Sequence, residues 1–202
     1  MTPQQLYDII KSAYPQCEVT SLCHTNKTCI GKGFCEDKQS TNVIDFDLVK
    51  EIKYNGQTPT PASVDAVCVS SGKRPVFCFV EIKGWQLYID NMYHQRNSIQ
   101  ETATSYNLAG KLSDSQRLCM ELASDKNLFA NIPVRFVLVT DIDTTTNGIG
   151  ALHSMLNQLG QTSTNVYSEC LTQARRTLDS EIYIDREYIT CKKFDNFLNL
   201  TL

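Results

Sequence analysis

The chain has 202 residues and a formal net charge of −3 at pH 7, and 42% of its residues are hydrophobic and 20% charged. This composition predicts one globular domain over residues 1–202, without the overall positive charge of a protein that coats nucleic acid. No apolar run approaches the roughly 18 residues of a membrane span, and the first residues lack the basic and apolar regions of a signal peptide, so we expect a cytoplasmic protein with no membrane partner.

The nine cysteines are expected to be thiols rather than disulfides. Three lie within apolar patterns and are predicted to be core residues: Cys68, Cys78 and Cys119. Four others recur at every sixth residue: Cys17, Cys23, Cys29 and Cys35. Structural zinc sites use cysteine pairs separated by two to four residues, so residues 15–41 are interpreted as a loop-rich excursion, with zinc binding as the weaker alternative.

Two segments before residue 60 have helical spacing. Residues 3–14 predict a first helix, with Thr2 as its cap and Pro15 as its stop. Residues 43–53 fit both a helix and a strand template, and we favour a helix that ends near Asn55 and Gly56.

Residues 63–83 are predicted to form a β-hairpin, because two apolar, β-branched segments flank a short polar turn. If residues 72–74 form the loop, Asp65 lies opposite Glu81. Glu81 and Lys83 are two residues apart and must share a face of the strand. Two carboxylates and an amine then meet on an otherwise hydrophobic hairpin, which is costly unless a cation or substrate uses them.

The rest of the chain predicts alternating helices and strands. Residues 95 to about 125 favour a helix that Gly110 bends or breaks, and residues 134–140 favour a central strand. Helices are predicted over 152–160 and 165–178, and an edge strand or hairpin over 181–191. This order predicts an α/β fold around a small sheet.

The chemistry of the hairpin follows from its charges. An Asp and a Glu one strand spacing apart repel each other unless a divalent cation lies between them, and their hard oxygen atoms suit Mg²⁺ or Mn²⁺. Lys83 can orient or help deprotonate a metal-bound water and stabilise charge on phosphorus. These groups suit metal-assisted hydrolysis of a phosphodiester, whereas the alternative is a structural salt bridge from Lys83 to Glu81 or Asp65.

Asp65 followed by Glu81-Ile82-Lys83 at the end of an apolar strand resembles the PD-(D/E)XK nuclease superfamily. The resemblance implies a restriction-endonuclease-like three-layer sandwich, with a small mixed central sheet flanked by helices, a core over about 43–140 and a C-terminal extension over 141–202. It also implies that Asp65, Glu81 and the Ile82 carbonyl bind Mg²⁺ or Mn²⁺, and that Lys83 assists the water. The implied substrate is nucleic acid, with DNA preferred.

The resemblance leaves several points open. Val64 stands where the family has proline, and the upstream acid has no unique match, although Glu51 and Asp47 are favoured over Asp45. Since the superfamily includes members without catalysis, an inactive scaffold that binds nucleic acid or a protein is the alternative function, and a homodimer would suit cleavage of both strands. The predicted phosphate contacts are Lys73, Arg74, Arg96 and Lys111.

A second motif follows the strand over 134–140. Asp141 and Asp143 resemble the first motif of haloacid-dehalogenase-type phosphatases, but the downstream acidic pair of that family has no counterpart here. A loop that caps the next helix explains this segment better.

Overall fold

The computed structural model describes residues 1–25, 41–83, 105–140, 176, 179–180 and 182–199. The strands of these residues are β1 (Glu18–Val19), β2 (Val43–Asp45), β3 (Ala66–Val69), β4 (Phe77–Lys83), β5 (Val134–Thr140) and β6 (Asp185–Thr190). The α-helices are α1 (Pro3–Ala13), α2 (Phe46–Lys53), α3 (Leu108–Ala123) and α4 (Phe194–Asn199). The predicted helices over 152–160 and 165–178 fall outside the described residues, except for residue 176.

The strands form one mixed sheet in the order β1-β2-β3-β4-β5-β6. The pairs β1–β2, β2–β3 and β3–β4 are antiparallel. The pairs β4–β5 and β5–β6 are parallel. The predicted central position of residues 134–140 is confirmed, because β5 lies between two partners. The strand predicted over 181–191 is also confirmed as the last strand in the order.

The predicted hairpin is confirmed together with its register. Val69 pairs with Phe77 and Ala66 pairs with Val80, and the Ser70 N–H donates to the Val76 carbonyl at 3.0 Å. One further step in this register places Asp65 opposite Glu81. The turn leaves residues 72–74 as its loop, as the spacing predicted.

Helix α1 begins at the predicted residue and ends one residue before the predicted end, because its capping signals are present in the sequence. The Gln5 N–H donates to Thr2 Oγ1 at 3.2 Å and the Thr2 N–H donates to Gln5 Oε1 at 2.8 Å. Pro3 occupies the first turn, where no N–H is needed, and the helix ends before Pro15.

The helix favoured over residues 43–53 needs correction, since its first three residues form β2. Asp45 ends that strand and caps α2, because its carboxylate accepts the Leu48 N–H at 2.9 Å. The chain turns at Gly56, whose φ of 77° favours glycine, so the predicted end of the helix near this residue is confirmed.

The predicted bend or break of the helix at Gly110 needs correction, because the interruption lies at Tyr106 and Asn107, before Gly110. Gly110 lies in the first turn of α3, which continues without a break to Ala123. A Cβ atom at this position would clash with the Asn107 side chain, and Asn107 caps the helix in the left-handed conformation with φ 47°. Glycine therefore allows the capping residue to approach closely.

The two faces of the sheet carry separate hydrophobic clusters. Helices α1, α2 and α3 pack on the face that contains Val67, Phe79 and Phe136. The opposite face packs against α4 and Leu22. Helices therefore cover both faces of a mixed sheet, which confirms the predicted α/β class and is consistent with three layers.

Among the described residues, no helix is both long and apolar enough to cross a membrane. Cys17 of the excursion and the three predicted core cysteines, Cys68, Cys78 and Cys119, are free thiols.

Candidate functional site

The candidate site lies at the carboxyl end of β4, on the face covered by α1–α3. Phe77 and Phe79 point into the hydrophobic cluster of this face, and Glu81 and Lys83 continue the same alternation. Glu81 is fully buried. In open α/β sheets, ligands bind beside the carboxyl ends of the strands, and this end of β4 is therefore the expected position for a site.

Asp65 is fixed by hydrogen bonds from the segment that precedes it. The Ala62 N–H donates to Asp114 Oδ2 at 2.9 Å, and the Val64 N–H donates to the buried Ser115 Oγ at 3.0 Å. Both acceptors belong to α3. The Asp65 carbonyl accepts the Phe46 N–H at 3.0 Å, so the first residue of α2 holds the segment from its other side.

The Asp65 carboxyl group faces the end of β4. Its Oδ2 accepts the Ile82 N–H at 2.6 Å, and the residue is only 9% exposed. Burial, followed by the nearby charge of Glu81, raises the pKa of Asp65 to about 7, although Lys111, Lys83 and the bond from Ile82 oppose this shift. Asp65 therefore changes its charge near neutral pH.

One carboxylate oxygen of Glu81 forms salt bridges with two ammonium groups. Its Oε1 lies 2.6 Å from Lys83 Nζ and 2.6 Å from Lys111 Nζ. Its Oε2 is buried and has no hydrogen-bond partner among the residues that the structure describes. The direct salt bridge that formed the structural alternative thus exists, but it engages only half of the Glu81 carboxylate. Leaving a buried carboxylate oxygen unpaired is costly.

Lys111 and Tyr106 complete the surroundings of Glu81 and Lys83. Burial lowers the pKa of Lys111, but the negative charges of Glu81 and Asp65 raise it by more, so the net shift is upward and Lys111 stays charged. The Tyr106 ring centroid lies 4.7 Å from Lys83 Nζ, within the range of a cation–π contact.

The structure separates the two favoured upstream acids. Asp47 accepts a hydrogen bond from the buried Ser63 hydroxyl, pairs with Lys50 at 2.9 Å and contributes to the raised pKa of Lys111. Glu51, one turn further along α2, is exposed. Asp45 caps α2. Of the three acids, Asp47 is therefore the one whose interactions reach residues at the site, namely Ser63 and Lys111.

The predicted phosphate contacts lie in different places. Lys111 belongs to the site, whereas Lys73 and Arg74 lie at the hairpin turn, and the seven residues of β4 place that turn about 20 Å from Glu81 and Lys83. Arg96 falls outside the described residues. Asp141 and Asp143 of the second motif also fall outside them.

The site residues fit a divalent cation of the Mg²⁺ type. Across the described parts of the chain, no three His, Cys, Asp or Glu side chains come together as a metal site. Mg²⁺ needs fewer, because it keeps several waters and binds through one or two carboxylates and substrate phosphates. The unpartnered Oε2 of Glu81, the Asp65 carboxyl group and the Ile82 carbonyl provide such a set.

Sequence reasoning missed how the site is held together. Lys111 was predicted as a phosphate contact but not as a partner of Glu81, and Ser63 and Ser115 were not singled out. The available signal was the position of Lys111 and Ser115 in the α3 stripe that also buries Leu108 and Leu112. A lysine beside a buried stripe predicts a buried acid nearby, because charged groups inside proteins are paired.

Comparisons with protein-family models, with curated proteins and with solved structures find no match to this chain.

Proposed function

We propose that the protein is a metal-dependent nuclease of PD-(D/E)XK type, which hydrolyses nucleic acid through a metal-activated water. The observation that carries the proposal is the Glu81 carboxylate, which is buried beside Asp65. One of its oxygens is bound to two lysines, and the other has no partner in the described part of the chain. The restriction-endonuclease-like identity of the fold belongs to the same proposal, and the mixed sheet with helices on both faces supports it.

Each residue has a defined role in this proposal. Asp65, Glu81 and the Ile82 carbonyl would hold Mg²⁺ or Mn²⁺, and Asp47, rather than Glu51, would be the additional acid from α2. When bound, the ion supplies a hydroxide nucleophile at neutral pH and neutralises charge on the phosphate. Lys83, fixed by Glu81 and Tyr106, orients the attacking water and stabilises the negative charge that develops on the phosphate oxygens.

A cleavage assay tests the proposal. Purified protein is incubated with single- and double-stranded DNA and with RNA, in Mg²⁺, in Mn²⁺ or in EDTA. We expect metal-dependent cleavage, with DNA as the first substrate to show it. Asp65→Ala and Lys83→Ala should each lower the rate by about a thousand-fold, the range for loss of a group that acts in proton transfer or charge stabilisation.

Matched controls lie on the surface away from the site. Lys53→Ala removes a lysine that pairs with Glu121, and Asp185→Ala removes an acid that pairs with Arg135. Both variants should keep the wild-type rate. Absence of cleavage on every substrate, or equal rates in the wild type and in Asp65→Ala, would refute the nuclease.

An inactive nuclease-like scaffold is the second candidate. The observation that favours it is the direct contact of both lysines with Glu81, which neutralises that carboxylate without a metal. This candidate predicts nucleic-acid or protein binding that survives Asp65→Ala and Lys83→Ala in EDTA, without cleavage. Binding measured beside the cleavage assay separates the two functions.

A further inference from the structure

Lys83 and Lys111 form a pair of like charges at the end of β4. Because each Nζ atom lies 2.6 Å from the same Glu81 oxygen, the two nitrogens are at most about 5.2 Å apart and repel each other. Glu81 supplies one negative charge to these two positive ones. Asp65 makes no ion pair with either lysine within 4.0 Å, in the part of the chain that the structure describes.

Both ammonium groups keep donors for a further ligand. An ammonium has three N–H donors, and Glu81 accepts one from each lysine. Their side chains are 19% and 22% exposed, so a group from solvent can reach them. No other acceptor is bound to either ammonium within the described residues, although the Tyr106 ring lies against Lys83.

We propose that Lys83 and Lys111 together bind one phosphate group, and that this binding requires no metal. The oxygens of a phosphate are about 2.5 Å apart, so two of them can accept charge-assisted hydrogen bonds from two ammonium groups that are no more than about 5.2 Å apart. The anion site rests on the geometry of the two lysines. Its assignment to a phosphate of nucleic acid rests on the proposed function.

The proposal gives Glu81 a second role as an internal competitor for the lysines. Since Glu81 Oε1 occupies one donor of each ammonium and offsets part of their charge, its carboxylate weakens the attraction for an incoming phosphate. Neutralising Glu81 should therefore strengthen phosphate binding, although the same change removes a metal ligand. A purely structural role for the ion pairs predicts no such gain.

Fluorescence anisotropy in EDTA tests the proposal, with a labelled single-stranded DNA of about 12 nucleotides as the probe. We expect Lys111→Met, which keeps the apolar stem, to weaken binding about ten-fold or more and to reduce the salt slope by about 0.7, the value for one phosphate contact on a single strand. Glu81→Gln should tighten binding. Lys53→Ala is the matched control and should leave the affinity unchanged.

Inorganic phosphate and a 5′-phosphorylated oligonucleotide distinguish the two sources of the anion. If inorganic phosphate is sufficient to displace the probe, the site binds a terminal phosphate. If only oligonucleotides displace it, with or without the 5′ phosphate, the site binds a backbone phosphate. Circular dichroism and thermal melting show whether each variant is folded, and Lys111→Arg, which keeps the charge, should retain most of the binding if the fold is intact.

The outcomes separate this inference from the nuclease proposal. Unchanged affinity and salt slope in folded Lys111→Met, or weaker binding in Glu81→Gln, overturns the phosphate site even if metal-dependent cleavage is observed. Lys111-dependent binding in a protein that cleaves nothing supports the phosphate site and overturns only the nuclease.

Discussion

Replacing Asp65 by asparagine is expected to stabilise the metal-free protein at pH 8, although the same substitution removes a proposed metal ligand. The reason is the burial of the carboxyl group beside Glu81, which raises the pKa of Asp65 from 3.8 to about 7. Asparagine keeps an oxygen that can accept the Ile82 N–H, but it carries no charge at any pH. The substitution therefore isolates the cost of a buried, ionised carboxylate.

The sign of the effect follows from proton linkage. Because the folded state holds the proton up to pH 7 and the unfolded state releases it near pH 3.8, the protonated carboxyl contributes stability below pH 3.8 that is lost as the pH rises through 7. A shift of the Asp65 pKa from 3.8 to about 7 corresponds to a loss of about 4 kcal/mol in the free energy of unfolding. About 2.5 kcal/mol of this loss occurs between pH 5 and pH 8.

Urea unfolding in EDTA at pH 5 and pH 8 measures this difference. The free energy of unfolding of Asp65→Asn, relative to the wild type, should rise by about 2.5 kcal/mol between the two pH values. Asp114→Asn is a matched control, since Asp114 also accepts a backbone N–H but forms a salt bridge with Arg117. Its effect should be nearly the same at pH 5 and pH 8.

The reasoning would be refuted if Asp65→Asn changed the free energy of unfolding by the same amount at both pH values. A loss of stability that grew toward pH 8 would also contradict it, because it would mean that the ionised carboxylate is stabilised by the lysines more than burial destabilises it.

Four further measurements check other parts of the molecule. Mn²⁺ should raise the melting temperature of the wild type more at pH 8 than at pH 5.5, because protons compete with the metal for Asp65. Asp65→Asn should lose this increase in melting temperature. An equal increase in both proteins would mean that the ion binds elsewhere. Ser115→Ala should lower the free energy of unfolding in urea by about 1–3 kcal/mol, because the buried Val64 N–H loses its acceptor, and a change below about 0.5 kcal/mol would argue against this bond. Leu6→Ala, at a fully buried position of α1, should cost about 2–5 kcal/mol in the same assay, unlike the exposed Gln4→Ala, which should cost little. Burial raises the pKa of the Cys119 thiol, so it should resist a thiol reagent in the folded protein and react in guanidinium, as mass spectrometry of its peptide would show, whereas labelling of the native protein would contradict its burial.

The two ion pairs of Glu81 do not by themselves argue for a stabilising role. Removal of two lysines and a glutamate from water is costly, and a buried ion pair is often no more stabilising than apolar residues of the same volume. The unpaired Oε2 adds to this cost. A chain that keeps such an arrangement at the carboxyl end of a strand is better explained by binding than by stability.

The β3–β4 hairpin shows why part of the site was predictable. Its register depends on a short turn and on the alternation of apolar residues. Both features are local, and together they predict that Asp65 lies opposite Glu81. The segment over residues 43–53 was harder, because its apolar residues fit both periods. Pairing with β3 made its first three residues a strand, and the Asp45 cap began the helix after them.

The amino-acid sequence by itself determined α1 and its caps, the hairpin and its register, the strand over 134–140 and the charged cluster of Asp65, Glu81 and Lys83. These features depend on neighbours within a few residues or on a single turn. Tertiary structure alone decided that Lys83 and Lys111 bind the same Glu81 oxygen, that Ser115 fixes the chain before Asp65, and that the other Glu81 oxygen has no partner within the described ranges. These contacts join residues 30 to 51 positions apart, and only the packing of α3 against the sheet brings them together.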